Sequence, residues 1–395
     1  MRATTASERV DPPAAPDVAV GTPDLSLWGT GEALRIDLPA PWPDHVGRVA
    51  EALASFEQAA GDGTEGLPVR GTVAFGALPF DRTSPASFVV PARLVGRTAR
   101  GDSWTTVVDG ADAGAARTAA DLPADVGVRA VQDPEDWCDA VAAATKAIAE
   151  GDFTKVVLAR ELLVEAGTAF DPAAVLARFA QAHPHALTYL VDGFVGASPE
   201  LLVSRLGETV RAQPMAGTTP RTGDPEVDHR AAAELLASAK NRAEHQITID
   251  MVHDALLDWC SYLDAEPTPS VVPAGPVQHL ATLVEGRLSR PLPSVLEMVA
   301  ALHPTPAVGG WPVAPALAAQ ARLEHLDRGR YAGPVGWVDA EGNGIFAVGI
   351  RGAELDGTRA RVFAGVGVVA DSDPAAELAE TQAKFKAALS ALVRP

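Results

Sequence analysis

Predicted strands and helices follow one another in blocks along this chain, and that order limits the folds open to it. Short β-type runs bounded by Gly, Pro and Asp dominate residues 25–126, and a meander of three or four strands is predicted between Ala186 and Ala216. Helices are predicted at about Pro134–Glu150, roughly Pro225–Cys260 and Pro291–Leu302, and a last helix is predicted to open at Ser372-Asp373-Pro374. A doubly wound parallel sheet needs strict alternation, so the order predicts an α+β fold with largely antiparallel sheets.

The first 24 residues differ in composition from the rest of the chain. They are rich in Ala, Pro and Asp and lack the apolar stretch of a secretory signal, so residues 1–24 are predicted to be a disordered tail. No linker convincingly divides the remaining residues. Residues 25–395 are therefore predicted to form one domain.

Charge and cysteine content narrow the class of protein further. A formal net charge of −19 disfavours nucleic acid as a partner, because phosphate binding requires clustered cations. No uncharged apolar stretch reaches 18 residues, so no membrane span is predicted. Cys138 and Cys260 occur singly, which is typical of a reducing compartment and predicts a cytoplasmic protein. The oligomeric state is left open, with a monomer favoured.

Carboxylates on two predicted helices could serve one cation. Glu377 and Glu380 are spaced i, i+3 on the last helix. They follow a strand that contains Gly365 and Gly367, and glycine within a strand predicts a close approach of another group to the backbone. Glu244 lies in the long helix, where it could simply form an exposed pair with Lys240. The functional alternative is that Glu244 and Glu380 meet across a pocket and bind Mg²⁺, which prefers oxygen ligands.

Three further residues could carry acid–base or binding chemistry. Glu200 precedes apolar residues, and partial desolvation there should raise its pKa, as a general acid requires. Lys155 alternates with apolar residues on one face of a predicted strand. Arg351 also lies in a predicted strand, and its guanidinium could bind a carboxylate through two hydrogen bonds. From the local segments alone, the simpler interpretation of each is a solvated strand residue.

Together these segments resemble the chorismate-utilising enzyme family, densely from about residue 131 to the C-terminus and thinly over residues 25–130. The resemblance is carried by TKVVLARE, VGASPELLV, QPMAGTTPR, AKNRAEHQ, HLATLVEG, LHPTPAVGGWP, YAGPVGWVDAEGNGIFAVGIR and AGVGVVADSDPAAELAET. It implies an anthranilate synthase component I-like fold, in which large antiparallel β layers surround a central cleft and helices pack outside. It also implies chorismate as substrate and Mg²⁺ as cofactor.

The resemblance also implies a role for each matching position. Lys155 matches the base that activates water, and Glu200 matches the acid that protonates the departing hydroxyl. Metal ligation is implied for Glu244 and Glu380, with Glu377 nearby in the metal shell. The implied substrate-binding or pocket-lining positions are Gly217, His279, Tyr331, Arg351, Gly365 and Gly367.

Two positions separate activities within this family. Aminodeoxychorismate synthases typically have a nucleophilic Lys where this chain has Ala216, and anthranilate synthases lack the counterpart of Lys155. The sequence is therefore most similar to the members that add water at C2 of chorismate and expel the C4 hydroxyl to give isochorismate. The alternative is a salicylate synthase, which then eliminates pyruvate. The product could feed menaquinone, siderophore or salicylate synthesis.

Overall fold

Extended segments provide most of the regular structure. A computed structural model describes residues 1–61 and 63–393. Within these ranges the strands are β1 Arg2–Ser7, β2 Val18–Gly21, β3 Leu25–Thr30, β4 Leu34–Leu38, β5 Glu57–Ala60, β6 Val73–Ala77, β7 Ala86–Val90, β8 Arg93–Thr98, β9 Ser103–Val108, β10 Val126–Ala130, β11 Lys155–Ala166, β12 Leu187–Val191, β13 Phe194–Ser198, β14 Leu201–Leu206, β15 Thr209–Gln213, β16 Met215–Pro220, β17 Cys260–Ala265, β18 Ser270–Ala274, β19 Val277–Ala281, β20 Val284–Leu288, β21 Gly310–Trp311, β22 Pro334–Asp339, β23 Gly344–Val348, β24 Gly352–Asp356 and β25 Arg359–Val368.

Helices occupy the intervals between groups of strands. They are α1 Gly47–Ala54, α2 Pro134–Glu150, α3 Pro172–Ala182, α4 Pro225–Ala237, α5 Ala239–Leu257, α6 Val295–Leu302, α7 Val313–Leu323 and α8 Pro374–Leu392, with a 3₁₀ turn at Trp42–His45. The predicted start of the last helix is confirmed: Pro374 is its first residue, and the Asp373 side chain accepts a hydrogen bond from the Ala376 N–H.

Across the described ranges the strands form three sheets. The largest has the order β10-β11-β25-β24-β13-β12-β2-β3-β8-β9-β1-β5, with β21 beside β11, and the second has the order β17-β20-β15-β14-β23-β22-β6-β7-β4. A small sheet has the order β16-β19-β18. The β1–β5 pair is parallel, whereas the other strand pairs found in the described residues are antiparallel. This arrangement confirms the predicted α+β class.

Apolar residues of the two larger sheets pack against each other. Leu27 of β3 and Phe75 of β6 lie in one buried cluster with Trp337 of β22, so the sheets face one another there. On the far side of the large sheet, α3 and α8 cover one cluster, while α2 and α7 pack against β11. Helices α5 and α6 pack on the second sheet.

The predicted disordered tail at residues 1–24 is wrong. Residues 2–7 form β1, which pairs with β9 and β5, and residues 18–21 form β2, which lies between β12 and β3. Ala3 and Val20 are almost fully buried. The segment is ordered because β1 and one edge of β2 pair with strands distant in sequence, which its local composition does not reveal.

Two helix boundaries also differ from the prediction. The predicted helix over Pro225–Cys260 is broken at Ser238, whose extended backbone separates α4 from α5 and whose side chain accepts a hydrogen bond from the Asn241 N–H. The helix expected from Pro291 begins only at Val295, after Ser294 and Glu297 form a capping box. No helix in the described ranges is long and apolar enough to cross a membrane.

Candidate active site

One cavity, the central cavity, contains most of the residues singled out in the sequence. It lies where β11 and β25 of the large sheet approach β16 and β19 of the small sheet, with α5 and α8 alongside. The predicted residues that line it are Lys155, Glu200, Gly217, Glu244, His279, Tyr331, Arg351, Gly365, Gly367 and Glu380. The remaining predicted residue, Glu377, lines an adjoining cavity together with Glu244 and Glu380. The structure therefore brings all eleven into one region.

Lys155 is the first residue of β11 and is only 3% exposed. Its Nζ lies 2.6 Å from Oε1 of Glu244, so the buried cation has an anionic partner from α5. Val156 and Leu158 point to the opposite side, into the apolar cluster beneath α2 and α7. The strand alternation therefore directs Lys155 into the cavity and anchors its neighbours in the core.

Glycines in β25 make room for the side chains that cross the cavity. A Cβ on Gly367 would lie 2.8 Å from Cε of Lys155 and 3.2 Å from Oε1 of Glu244. A Cβ on Gly365 would lie 3.0 Å from the Tyr331 hydroxyl. The prediction that glycine within this strand marks a close approach to the backbone is confirmed.

Glu200 occupies the connection between β13 and β14 and is 4% exposed. Burial raises its pKa to about 7, although a hydrogen bond from the backbone of Met215 and the charges of Lys155 and Arg351 act in the opposite direction. The prediction of a raised pKa at Glu200 is confirmed. A substantial fraction of this carboxyl group is protonated near pH 7, as a proton donor requires.

The raised pKa has a consequence for stability. The pKa of Glu200 is about 7 in the folded state, against 4.5 in the reference state. The folded protein therefore loses stability as the pH rises from 4.5 through 7. Above that pH range the free energy of unfolding is lower by about 3 kcal/mol. We expect Glu200→Gln to be more stable than the parent at pH 8.5, and to lose most of that advantage at pH 5, in urea unfolding at both pH values.

Glu51→Gln, on the exposed surface of α1, provides the matched control and should show no such pH dependence. A Glu200→Gln stability difference that is equal at both pH values would contradict a desolvated Glu200.

Arg351 is held in an unusual backbone conformation at the entrance to β24. Its φ of 54° lies in the left-handed region, which costs a non-glycine residue about 1–3 kcal/mol. Its guanidinium is buried, and Nη2 lies 3.1 Å from Nε2 of His279. The surrounding structure therefore maintains strain in order to point this cation into the cavity.

His279 fixes the Arg351 guanidinium through one tautomer. Its Nδ1 lies 3.1 Å from the carbonyl oxygen of Gly217, which can only accept, so Nδ1 carries the hydrogen and Nε2 accepts from Arg351. Burial, together with the charge of Arg351, lowers the pKa of His279 well below its usual value. A neutral imidazole in this orientation is what a hydrogen bond from arginine requires.

The acidic side of the region is formed by α5 and α8. Burial opposes ionisation of Glu380, but Lys384, with Nζ 2.5 Å from Oε1, outweighs it and holds the Glu380 pKa below its usual range. Burial raises the pKa of Glu377, and the charge of Glu380 adds to this effect. The ionised form of Glu377 is therefore disfavoured at this position.

The donor chemistry of these carboxylates fits a hard divalent cation, since Glu244, Glu377 and Glu380 line the same small polar cavity. Among residues 1–61 and 63–393, however, no three His, Cys, Asp or Glu side chains already converge on one point. The reason is visible in the ion pairs: Glu244 points to Lys155 and Glu380 points to Lys384.

Two cavity residues were missed in the sequence. Lys384 donates to the carbonyl oxygen of Gly365 at 2.8 Å, and Arg328 lies over the ring of Phe80 and also lines the cavity. Lys384 could have been found, because it lies four residues after Glu380 in a chain with few lysines. Arg328 carries no comparable local signal, since its partners come from distant segments.

Comparison with known proteins places this geometry in a family. The family model described as chorismate binding enzyme matches residues 112–393, more than half of the chain. The chain belongs to the chorismate-binding enzyme family, and the resemblance found in the sequence is confirmed.

Individual relatives agree with this assignment. Isochorismate synthase DhbC of Bacillus subtilis is 37% identical over 357 residues, which cover 88% of this chain and 85% of DhbC. The crystal structure of DhbC from Bacillus anthracis superposes with a TM-score of 0.82 at 34% identity and covers 97% of each chain. Anthranilate synthase component I from Streptococcus pneumoniae shares the fold, with a TM-score of 0.73 at 22% identity over 93% of this chain and 92% of its own.

Proposed function

We propose that the protein is an isochorismate synthase, which isomerises chorismate by adding water at C2 while the C4 hydroxyl leaves. The observation that carries the proposal is the placement of Lys155, from β11, and Glu200, from the β13–β14 connection, in one buried cavity beside Arg351. The reaction needs a base, an acid and a group that binds a carboxylate. Lys155, Glu200 with its pKa of about 7, and the guanidinium of Arg351 can supply them. The relatives named isochorismate synthase support it.

In the proposed mechanism Lys155 takes a proton from water and Glu200 gives a proton to the departing hydroxyl. The base in this mechanism is the Lys155 amine, whose Nζ lies 2.6 Å from Oε1 of Glu244. Water is a poor nucleophile and hydroxide is a poor leaving group, so each residue contributes a factor of about 10²–10⁴. Arg351, fixed by His279, binds a carboxylate of chorismate and holds the ring between the two groups.

The side chain at position 216 supports water, rather than a protein amine, as the nucleophile. Ala216 lines the cavity, and its methyl group cannot attack the ring. Lys155 also lines the cavity, so its amine can act on a water molecule there. A hydroxyl is therefore the group expected at C2 of the product.

We assign Mg²⁺ to the acidic side of the cavity, where Glu244, Glu377 and Glu380 would bind it. When bound, the ion would neutralise the ring carboxylate of chorismate and charge that develops during the reaction. The carboxylates that this requires now pair with Lys155 and Lys384, so binding the ion means exchanging those partners.

The proposed function is tested by incubating the purified protein with chorismate and Mg²⁺ and separating the products by chromatography. Isochorismate without pyruvate is expected, and EDTA should abolish its formation until excess Mg²⁺ is added. Salicylate together with pyruvate would show a salicylate synthase instead. Unchanged chorismate would contradict the proposal, and full turnover in EDTA would contradict the metal assignment.

Arg351 is expected to be needed for substrate binding in a way that lysine cannot replace. Arg351→Lys keeps the charge but loses the bidentate fork, so both Arg351→Lys and Arg351→Ala should lower kcat/KM. A loss of about 2 kcal/mol or more, roughly 30-fold, is expected for alanine. Steady-state kinetics checks this, with Arg48→Ala on exposed α1 as the control. Unchanged kinetics in Arg351→Ala would make Arg351 a structural strand residue.

A further inference from the structure

A second cavity, here called the vestibule, adjoins the central cavity. The two share Pro199 and Arg351 as lining residues. Its volume is about 400 Å³, within the range typical of small-molecule sites. At its outer end lie exposed residues, including Ala182 and His185, whereas Arg351 is 8% exposed. The vestibule therefore extends from the protein surface to the guanidinium of Arg351.

The charge of the vestibule is opposite to that of the protein. It is lined by Arg221, Arg351, His183 and His185, and none of the described lining residues is Asp or Glu. The chain as a whole has a formal net charge of −19. A cationic cavity on such a surface concentrates small anions from solution.

The other opening beside the central cavity has the reverse character. It is lined by Glu244, Glu377 and Glu380, with Lys240 as the lysine in its wall. A small dianion approaching from that side would meet three carboxylates, whereas one approaching through the vestibule meets arginines. The two sides of the site are thus electrostatically distinct, and the vestibule is the side suited to an anion.

Two buried donors at the vestibule lack partners. Within the described part of the chain, neither Nε2 of His183 nor Nε of Arg351 has a hydrogen-bond partner, although both residues line the vestibule. A buried donor left unsatisfied costs about 1–3 kcal/mol, and such groups usually serve a water molecule or a ligand. A carboxylate is an acceptor for Nε–H of Arg351, and for Nε2 of His183 in the tautomer that carries its hydrogen on Nε2.

We propose that the vestibule is an anion-binding access site that takes a small dicarboxylate from solution and delivers it to Arg351. The inference rests on the proposed function, which supplies chorismate as that dicarboxylate. Arg221 attracts the anion at the outer end, and Arg351 receives it at the inner end. The acidic opening on the other side, lined by Glu244, Glu377 and Glu380, is the part of the site assigned to Mg²⁺.

Charge changes at Ala182 test the vestibule, because this exposed residue ends α3 and lines the vestibule wall. We expect Ala182→Glu to lower kcat/KM for chorismate about three- to tenfold at low salt, with kcat within about twofold of the parent. Ala182→Lys should equal or exceed the parent. Both differences should shrink in about 0.5 M NaCl, where the Debye length is only a few Å.

Ala182→Gln controls for side-chain size, and Arg48→Gln on α1 controls for net charge. Arg221→Gln is a second variant, expected to lower kcat/KM in the same way as Ala182→Glu. If kcat/KM is the same in Ala182→Glu and Ala182→Lys, whether unchanged or equally reduced, the proposed role of the vestibule is wrong while the proposed function stands. If the parent makes no product, the proposed function fails. The vestibule is then judged by calorimetry with chorismate in EDTA, where Ala182→Glu must bind more weakly than Ala182→Lys.

Discussion

Replacing Lys155 by alanine is expected to lower turnover of chorismate by about 10²- to 10⁴-fold, with a smaller change in substrate binding. The reason is that the variant keeps the cavity, Arg351 and Glu200 but has no amine to take a proton from water. Glu200→Gln should cause a loss of similar size, because an amide cannot donate a proton to the departing hydroxyl. Both values are obtained from kcat and KM measured at saturating Mg²⁺.

Lys146→Ala provides the matched control, since Lys146 is an exposed lysine on α2 that pairs with Glu150 on the surface. It should retain parent activity. Production of isochorismate at the parent rate by Lys155→Ala would mean that another group activates water, and the choice of activity within the family would lose its main support.

Replacing Arg328 by methionine is expected to cost about 3–5 kcal/mol in the free energy of unfolding, because it leaves the buried carboxylate of Glu324 unpaired. The two side chains are 4% and 3% exposed and lie 2.7 Å apart. Arg328 also donates to the carbonyl oxygen of Val157, and Glu324 accepts from the N–H of Ala159. The pair therefore clamps β11, the strand that begins at Lys155.

Urea unfolding of Arg328→Met and of Arg287→Met measures this effect. Arg287 pairs with Glu208 at the surface, and loss of such an exposed pair costs about 1 kcal/mol or less. A double variant that also replaces Glu324 by leucine should recover part of the loss, because the buried charge is then gone. Equal destabilisation by the two single arginine variants would show that the buried pair does not anchor β11.

The sequence predicted the fold class and the meeting of the site residues where local pattern and family resemblance agreed. The Gly365–Gly367 strand, the helix start at Asp373 and the apolar setting of Glu200 each have local signatures that the structure bears out. The assigned roles of these residues stay predictions, because they concern a reaction rather than a position.

What the sequence could not predict depends on partners that are distant along the chain. Residues 1–24 looked disordered because β1 pairs with β5 and β9, and one edge of β2 pairs with β12, all distant in sequence. The break at Ser238 is a cap inside an otherwise continuous helical pattern. The ion pairs Lys155–Glu244 and Arg328–Glu324, and the vestibule, likewise exist only after the sheets have assembled.

The pairing of β11 with β25 also bears on how the protein is made by the ribosome. Val157 lies opposite Gly367, so the strand that carries Lys155 gains this neighbour only when nearly the whole chain has been synthesised. Until then the nascent chain exposes an unpaired edge on β11 and has neither α8 nor its glutamates. Long-range pairing of this kind folds slowly and leaves intermediates prone to aggregation. A growing chain therefore depends on protection of that edge until its C-terminal strand and helix emerge. A chain truncated before β25 would lack the part of the site that β25 and α8 supply, including Gly365, Gly367 and Glu380.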